Sequence, residues 1–109
     1  MSESKLVYSC IKWLYAQGCY VWRNNTGAYK PEKSKRYIRY GLSGSSDIIG
    51  LTPSGRFIGV ECKWGNNKLT DNQKKFRDRI ENNNGIYVTA YSIDDLEKVK
   101  EVICSKKEL

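Results

Sequence analysis

Residues 47–63 of the chain read DIIGLTPSGRFIGVECK, and this stretch decides the fold. Two runs rich in β-branched and aromatic residues, Asp47–Leu51 and Phe57–Lys63, flank a short polar turn, which is the pattern of a β-hairpin. Pro53 suits the second position of a type I turn, and Gly55 suits a following residue with positive φ. We therefore predict a three-residue hairpin loop that ends in a G1 bulge.

This turn also predicts which residues of the two strands face each other. Thr52 then lies opposite Arg56, and Asp47 lies directly opposite Glu61. The residues on the other face are apolar or small, and we expect them in the core: Ile48, Gly50, Ile58, Val60 and Cys62. A two-residue turn would instead shift the register and place the two acids on opposite faces.

The polar face of the hairpin predicts a metal site. Facing residues have Cβ atoms about 4.5–5.5 Å apart, so Asp47 and Glu61 repel each other unless a positive charge lies between them. Lys63 follows Glu61 by two residues and points to the same side. Mg²⁺ fits because it takes one or two carboxylates and completes its shell with water and phosphate, and the backbone carbonyl of Cys62 is a further candidate ligand. The alternative is a solvated sheet face on which Lys63 neutralises Glu61.

Composition narrows the possible chemistry. The formal net charge of +7 favours a polyanionic partner, nucleic acid first and an anionic membrane second. Histidine is absent, so Ser-His-Asp triads, Cys-His pairs and His-ligated zinc are excluded, and oxygen ligands favour Mg²⁺ or Mn²⁺. The four cysteines form no CxxC pair and are expected to be buried free thiols. Free thiols and a polar N-terminus without a secretory pattern predict a cytoplasmic protein.

The remaining segments are predicted from periodicity and capping patterns. We expect helices over Glu3–Gln17, Thr70 to about Asn83 and Ser92 to about Cys104, and strands over Cys19–Arg23 and Ile86–Ala90. Within the long segment 24–46, Tyr37–Tyr40 is a candidate short edge strand. The resulting order, α-β-(basic loop)-β-β-α-β-α, indicates an α/β fold.

At these residues the chain resembles the VRR-NUC branch of the PD-(D/E)XK nuclease superfamily, including its small stand-alone, phage-type members. The matching stretches are VWRNNTGA (21–28), GSSDII (44–49), GRFIGVECK (55–63) and LTDNQKKF (69–76). The Pro-Asp of the superfamily is here Ser46-Asp47, a change that VRR-NUC-like sequences tolerate. The resemblance implies a restriction-endonuclease-like core with a mixed central sheet flanked by helices, and we expect residues 1–109 to form one nuclease domain.

The resemblance also implies roles for particular residues. Asp47 and Glu61 would bind the metal, and Lys63 would position or polarise the attacking water. Whether Lys63 stabilises charge on the phosphate or helps to deprotonate water stays open.

Two further residues carry weaker indications. Gln73 is implied to have a role in the site, although it could instead complete a capping box with Thr70. Glu3 loosely matches an acid in the first helix of the superfamily and is a candidate metal ligand. The alternative for Glu3 is simply a favourable charge near a helix N-terminus.

The segment 24–46 is predicted to contact nucleic acid. A loop this long in a small domain is usually functional or mobile, and here it combines basic and tyrosine side chains. Basic side chains neutralise phosphates, and aromatic rings stack on exposed bases. The candidate contacts are Arg23, Asn24, Thr26, Tyr29, Lys30, Lys35, Arg36, Arg39 and Ser46. An ordinary solvated loop is the alternative.

These features together predict a Mg²⁺-dependent, structure-specific DNA endonuclease. The resemblance suggests branched DNA, a Holliday junction or a flap, as the substrate, and symmetric cutting of two strands suggests a homodimer or higher homo-oligomer. If the gene is of phage origin, the protein would act in the host cytoplasm. A non-catalytic DNA-binding accessory module is the main alternative, and a ribonuclease is a weaker one.

Overall fold

The computed structural model describes residues 2–105 of the chain and contains four helices and six strands within that range. In chain order the elements are α1 (Glu3–Ala16), β1 (Tyr20–Arg23), β2 (Gly27–Tyr29), β3 (Ile38–Tyr40), β4 (Ile48–Leu51), β5 (Phe57–Cys62), α2 (Asp71–Asn82), β6 (Ile86–Ala90), α3 (Ile93–Glu97) and α4 (Lys100–Cys104).

The central sheet is mixed and has the strand order β1-β4-β5-β6. β4 pairs with β1 and β5 in antiparallel fashion, whereas β6 lies parallel to β5. Two parallel neighbours need a crossover connection, and α2 supplies it. The predicted mixed sheet flanked by helices is therefore confirmed.

The hairpin has the predicted loop and register. Gly55 adopts φ +84°, and its N–H donates to the Thr52 carbonyl at 2.9 Å. The N–H of Thr52 in turn donates to the Arg56 carbonyl at 2.9 Å. As expected, Ile48 pairs with Val60.

The core lies between the sheet and α1. Every third or fourth residue of α1 is buried, and the even-numbered residues of the hairpin meet them from the sheet. The buried residues include Leu6, Val7, Cys10 and Leu14 of α1, Ile48, Ile58, Val60 and Cys62 of the hairpin, and Leu96 and Ile103 of the last two helices. The predicted core face of the hairpin is thus confirmed, and α2 covers the opposite face with Phe76 against Phe57 and Tyr87.

Helix capping follows the sequence closely. The side chain of Ser2 accepts a hydrogen bond from the Lys5 N–H at 3.2 Å, and Gly18 takes φ +89° just past the end of α1. At the end of α2 the left-handed residue is Asn84, with φ +65°, and not the Gly85 that follows it. The Gly85 N–H closes the helix on the Ile80 carbonyl at 2.8 Å, as in a Schellman motif.

One prediction of secondary structure was incomplete and one was wrong. The short edge strand predicted within Tyr37–Tyr40 is present as β3, but its partner β2 was not predicted, and the two form a separate two-stranded sheet. The single helix expected over Ser92–Cys104 is divided into α3 and α4. The division falls at the β-branched Val99, whose backbone (φ −115°, ψ 17°) leaves helical geometry.

Candidate active site

Asp47 lies at the start of β4, where its backbone and side chain are both fixed. Its carbonyl accepts a hydrogen bond from the Asn24 N–H at 2.7 Å, which ties it to the end of β1. Its Oδ2 atom accepts the N–H of Cys62 at 2.8 Å across the hairpin. Because Ile48 pairs with Val60, the same register carries Asp47 opposite Glu61, and the side chain leans over the end of β5. One carboxylate oxygen of Asp47 is therefore bonded to the backbone, and the Asp47 side chain also interacts with the Glu61 carboxyl.

Glu61 is a buried acid with one unpartnered oxygen. Its exposed fraction is 4%. Oε2 accepts a hydrogen bond from Gln73 Nε2 at 3.1 Å and lies 3.7 Å from Lys63 Nζ. Oε1 is buried and has no hydrogen-bond partner among the residues that the structure describes. An unpaired buried carboxylate oxygen is costly, so the site is arranged to receive something at Oε1.

The Gln73 side chain makes both of the contacts that were predicted as alternatives, one in the helix cap and one in the site. Its Oε1 accepts the Thr70 N–H at 2.9 Å, while the Thr70 side chain accepts the Gln73 N–H at 3.2 Å, which is the complete capping box of α2. Its Nε2 donates to Glu61 from the other end of the same amide. The cap therefore fixes the amide, and the amide orients the carboxylate.

The charges around Glu61 favour the binding of a cation. Burial, and then the negative charge of Asp47, raise the pKa of the Glu61 carboxyl from 4.5 to about 8, although Lys63 acts in the opposite direction. A single ammonium group therefore does not compensate both acids. A divalent ion between the two carboxylates would restore the charged form of Glu61 and give Oε1 a partner.

The residues present fit such an ion. No group of three or more acidic, cysteine or histidine side chains suited to a metal occurs in residues 2–105. Mg²⁺ does not need one, because it commonly binds through one or two carboxylates and completes its octahedral shell with water and phosphate oxygens. Asp47 and Glu61 would supply the carboxylates, and all three predicted ligands, including the backbone carbonyl of Cys62, stay predictions.

Glu3 lies at the exposed start of α1 and makes no hydrogen bond or ion pair to the site in the described residues. Its charge adds slightly to the rise in the pKa of Glu61, so it acts on the site through space. A direct metal contact by Glu3 stays a prediction.

The structure divides the predicted nucleic-acid contacts into two sets. Ser46 is fully buried and its hydroxyl donates to the Ile48 carbonyl at 3.2 Å, so its predicted contact with nucleic acid was wrong. Asn24 is half-buried, and its amide donates to Ser45 Oγ at 2.7 Å and to the Ser46 carbonyl at 3.0 Å. Asn24 thus holds the loop that leads into Asp47. The others are exposed, and their contacts stay predictions: Arg23, Thr26, Tyr29, Lys30, Lys35, Arg36 and Arg39.

Tyr87 lies beside the site but was not among the residues predicted for it. Its ring packs against Phe76 beneath α2, with centroids 6.3 Å apart, and its hydroxyl is buried without a partner in the described part of the chain. Burial and the nearby charge of Glu61 raise the pKa of the Tyr87 hydroxyl. The available signal was its position on β6, where it alternates with the buried Ile86 and Val88.

A mixed sheet with two facing acids and a lysine at the end of its central hairpin defines a nuclease domain of the DNA-processing class. The model of the VRR-NUC domain family matches residues 2–94, and the chain belongs to this family. No curated protein sequence matches the chain significantly. Among the described residues, no helix has the length and apolar character to cross a membrane. Family membership makes DNA the partner and nuclease chemistry the kind of activity.

Substitutions of Thr70 and Gln73 separate the two roles of the capping box. Thr70→Ala and Gln73→Ala each remove one capping interaction, so each is expected to lower the free energy of unfolding by about 1 kcal/mol. Only Gln73→Ala also frees the Glu61 carboxylate, and we expect it alone to weaken metal-dependent activity by about 10–100-fold. Chemical denaturation and Mg²⁺ titrations of cleavage measure the two effects. Equal activity of the two variants would contradict the orienting role of Gln73.

Proposed function

We propose that this chain is a Mg²⁺-dependent, structure-specific DNA endonuclease that hydrolyses phosphodiester bonds in branched DNA. The observation that carries the proposal is the buried Glu61 carboxylate, which faces Asp47 and leaves Oε1 without a partner. A domain that only binds DNA gains nothing from a buried acid that faces a second, half-buried acid, because carboxylates repel phosphate. The acid pair therefore favours catalysis over a non-catalytic accessory module.

Each residue of the site would have a separate role in hydrolysis. Asp47 and Glu61 would hold the ion, which when bound supplies electrophilic activation of water and of the scissile phosphate. Gln73 would keep Glu61 in its orientation, and the end of β1 would keep Asp47 in place through Asn24. Lys63, with its side chain 13% exposed, would lie at the boundary between the acid pair and the phosphate.

Branched DNA and self-association are the finer parts of the proposal. A Holliday junction or a flap is the substrate that the family resemblance suggests, and a chain of 109 residues with one acid pair would need a second copy to cut two strands symmetrically. We place the protein in the cytoplasm, because all four cysteines are free and a reducing compartment keeps them so.

The test of this function is a cleavage panel. Purified protein is incubated with labelled linear duplex, 5′ flap and four-way-junction DNA, each with Mg²⁺, Mn²⁺ or EDTA. We expect cleavage of a branched substrate with either metal and none with EDTA. Cleavage that persists in EDTA would contradict the metal role. Binding without cleavage in every lane would favour the accessory module.

Two variants of Lys63 distinguish the roles that the sequence left open. Lys63→Ala removes a positive charge beside the phosphate, and we expect the cleavage rate to fall by about 10²-fold. Lys63→Arg keeps the charge but cannot lose a proton at neutral pH. Lys63 Nζ lies within ion-pair distance of Glu61, so we expect its positive charge to be the property that matters. Lys63→Arg, which keeps this charge, should therefore cleave about tenfold faster than Lys63→Ala. Single-turnover rates with saturating enzyme measure this, and an Arg variant as slow as the Ala variant would favour proton transfer by Lys63.

A further inference from the structure

Residues 27–40, which we call the arm, form a ribbon that stands apart from the central sheet. Its two strands, β2 and β3, pair only with each other. No residue of the arm is buried, and all except Pro31 and Ser34 are exposed. The tip is nevertheless ordered by the Ser34 side chain, which accepts the Arg36 N–H at 3.1 Å. A two-stranded ribbon with both faces in solvent adds little to the stability of the fold, which favours a role in binding a partner.

The two faces of the arm differ in chemistry. One carries Tyr29, Ile38 and Tyr40, each about half exposed, with the two tyrosine rings 6.4 Å apart. The other face carries Arg39 opposite Ala28. Further basic side chains are in the tip: Lys30, Lys33, Lys35 and Arg36.

The charge of the arm identifies the chemistry of its partner. The arm holds five basic residues and one acidic residue, so it contributes +4 of the chain's formal net charge of +7. None of the ion pairs found in residues 2–105 involves an arm residue. These charges are therefore uncompensated within the chain and exposed, which favours a polyanion.

We propose that the arm grips duplex DNA beside the cleavage site, with the ribbon in a groove and the basic tip on the flanking phosphates. This inference rests on the proposed function and adds to it the double-helical part of the substrate. A two-stranded antiparallel ribbon fits the B-DNA major groove, which is about 12 Å wide. Tyrosines suit the groove wall because their rings pack on sugars and their hydroxyls reach polar base edges.

The base of the arm is fixed by close packing of the backbone. Gly41 follows β3 with φ +73° and packs so closely that a Cβ atom there would lie 2.6 Å from the Asn25 carbonyl oxygen. A cleft of about 250 Å³ lies between the base of the arm, at Thr26 and Arg39, and the loop at Ser43 and Gly44, which precedes Asp47 in the chain. The arm is therefore joined to the segment that carries Asp47 by a close-packed base with an open cleft beside it.

The length of the arm predicts its footprint. About six residues separate Gly27 from the tip, and because only Gly27–Tyr29 is strand, the rise of roughly 3.3 Å per residue sets an upper limit of about 20 Å on the reach. At about 3.4 Å per base pair, this corresponds to at most about six base pairs beyond the contact made by the rest of the protein.

A second copy of the chain is a less suitable partner. Two arms that met would bring +4 against +4, and the apolar face is limited to three partly exposed side chains. Repulsion between like charges opposes that contact, whereas a phosphate backbone attracts the basic side chains of the arm.

The experiment compares two variants that lose equal charge. The tip variant carries Lys30→Ala, Lys33→Ala, Lys35→Ala and Arg36→Ala. The control variant carries Lys5→Ala, Lys12→Ala, Lys98→Ala and Lys100→Ala, all at exposed positions of α1 and the C-terminal helices. A third variant shortens the arm by replacing residues 29–38 with Asn-Gly, a two-residue turn that joins the paired Ala28 and Arg39. Circular dichroism and thermal melting confirm that each variant folds.

Binding to a fluorescent four-way junction is measured in EDTA, where no cleavage takes place, at several salt concentrations. For the tip variant we expect the slope of log K against log [salt] to fall in magnitude by about 3–4, and affinity at 0.1 M salt to fall about tenfold or more. The control variant should keep the wild-type slope. Hydroxyl-radical footprints should shorten by several base pairs, and by no more than about six, for the shortened arm.

The outcomes separate the arm from the nuclease. Equal losses in the tip and control variants, or an unchanged footprint, would overturn the proposal even if the protein cuts DNA. The expected binding difference in a protein that cuts no substrate would support the arm and count against the nuclease. If sedimentation shows that the tip variant loses affinity only because it dissociates into single chains, the arm joins copies of the protein and the proposal fails.

Discussion

Replacement of Glu61 by Gln is expected to lower Mg²⁺-dependent cleavage by about 10³-fold or more, while DNA binding in EDTA is retained or strengthened. The substitution keeps the size of the side chain but removes the negative charge that would hold the ion. Several kcal/mol of charge stabilisation depend on that ion, and each 1.4 kcal/mol corresponds to a factor of ten in rate. Binding in EDTA should not suffer, because the amide that replaces the carboxyl is neutral and adds no charge that would repel phosphate.

The matched control for this prediction is Glu101→Gln. Glu101 is exposed on α4 and its replacement changes the net charge by the same amount. We expect its cleavage rate to stay within about twofold of wild type. Single-turnover rates at saturating Mg²⁺, together with anisotropy in EDTA, measure both quantities. If Glu61→Gln cut DNA at the rate of the control, the acid pair would not be the catalytic centre.

The hairpin could be predicted from the sequence because its determinants are local. Pro53 and Gly55 select one turn, and the turn selects one register, so the position of Asp47 opposite Glu61 follows without tertiary information. The capping box was equally local, since Thr70 and Gln73 are three residues apart. What the sequence did not resolve was whether Gln73 caps the helix or serves the site. The two ends of one amide do both, and only the packing of α2 on β5 reveals this.

The predictions that failed concern residues whose environment depends on tertiary packing. Ser46 looks like a surface residue, but Gly59 leaves room for it: a Cβ atom at Gly59 would lie 2.5 Å from Ser46 Oγ. The absence of a side chain at Gly59 thus leaves room to bury Ser46, which lies just before β4. β2 was missed because its partner β3 follows eight residues later, without the compact turn pattern that marks the hairpin at 47–63.

Glu61 is also expected to make the metal-free protein less stable as pH rises. Its pKa is about 8 in the folded protein and 4.5 in the reference state, so between these values the folded state binds more protons than the unfolded state. The contribution of the protonated carboxyl to stability is therefore complete below pH 4.5 and is lost as pH rises through 8. At about 1.4 kcal/mol for each pH unit, the loss at neutral pH amounts to a few kcal/mol.

Glu61→Gln isolates this effect, because the amide is neutral at every pH. In EDTA the variant should melt at about the same temperature as wild type near pH 5 and about 10 °C or more above it near pH 8. Mg²⁺ should raise the melting temperature of the wild type at pH 8, since it binds the charged carboxylate of the folded state, and should leave the variant unchanged. Melting curves of both proteins from pH 5 to pH 8, with EDTA or Mg²⁺, test this directly. If the melting temperatures of the two proteins changed with pH in the same way, the burial of Glu61 would not destabilise the folded protein. If Mg²⁺ stabilised the wild type only at high pH, the binding of the ion would be coupled to the ionisation of the buried Glu61 carboxyl. This coupling would support the ion as the partner of Oε1, and it is measured without DNA and without cleavage.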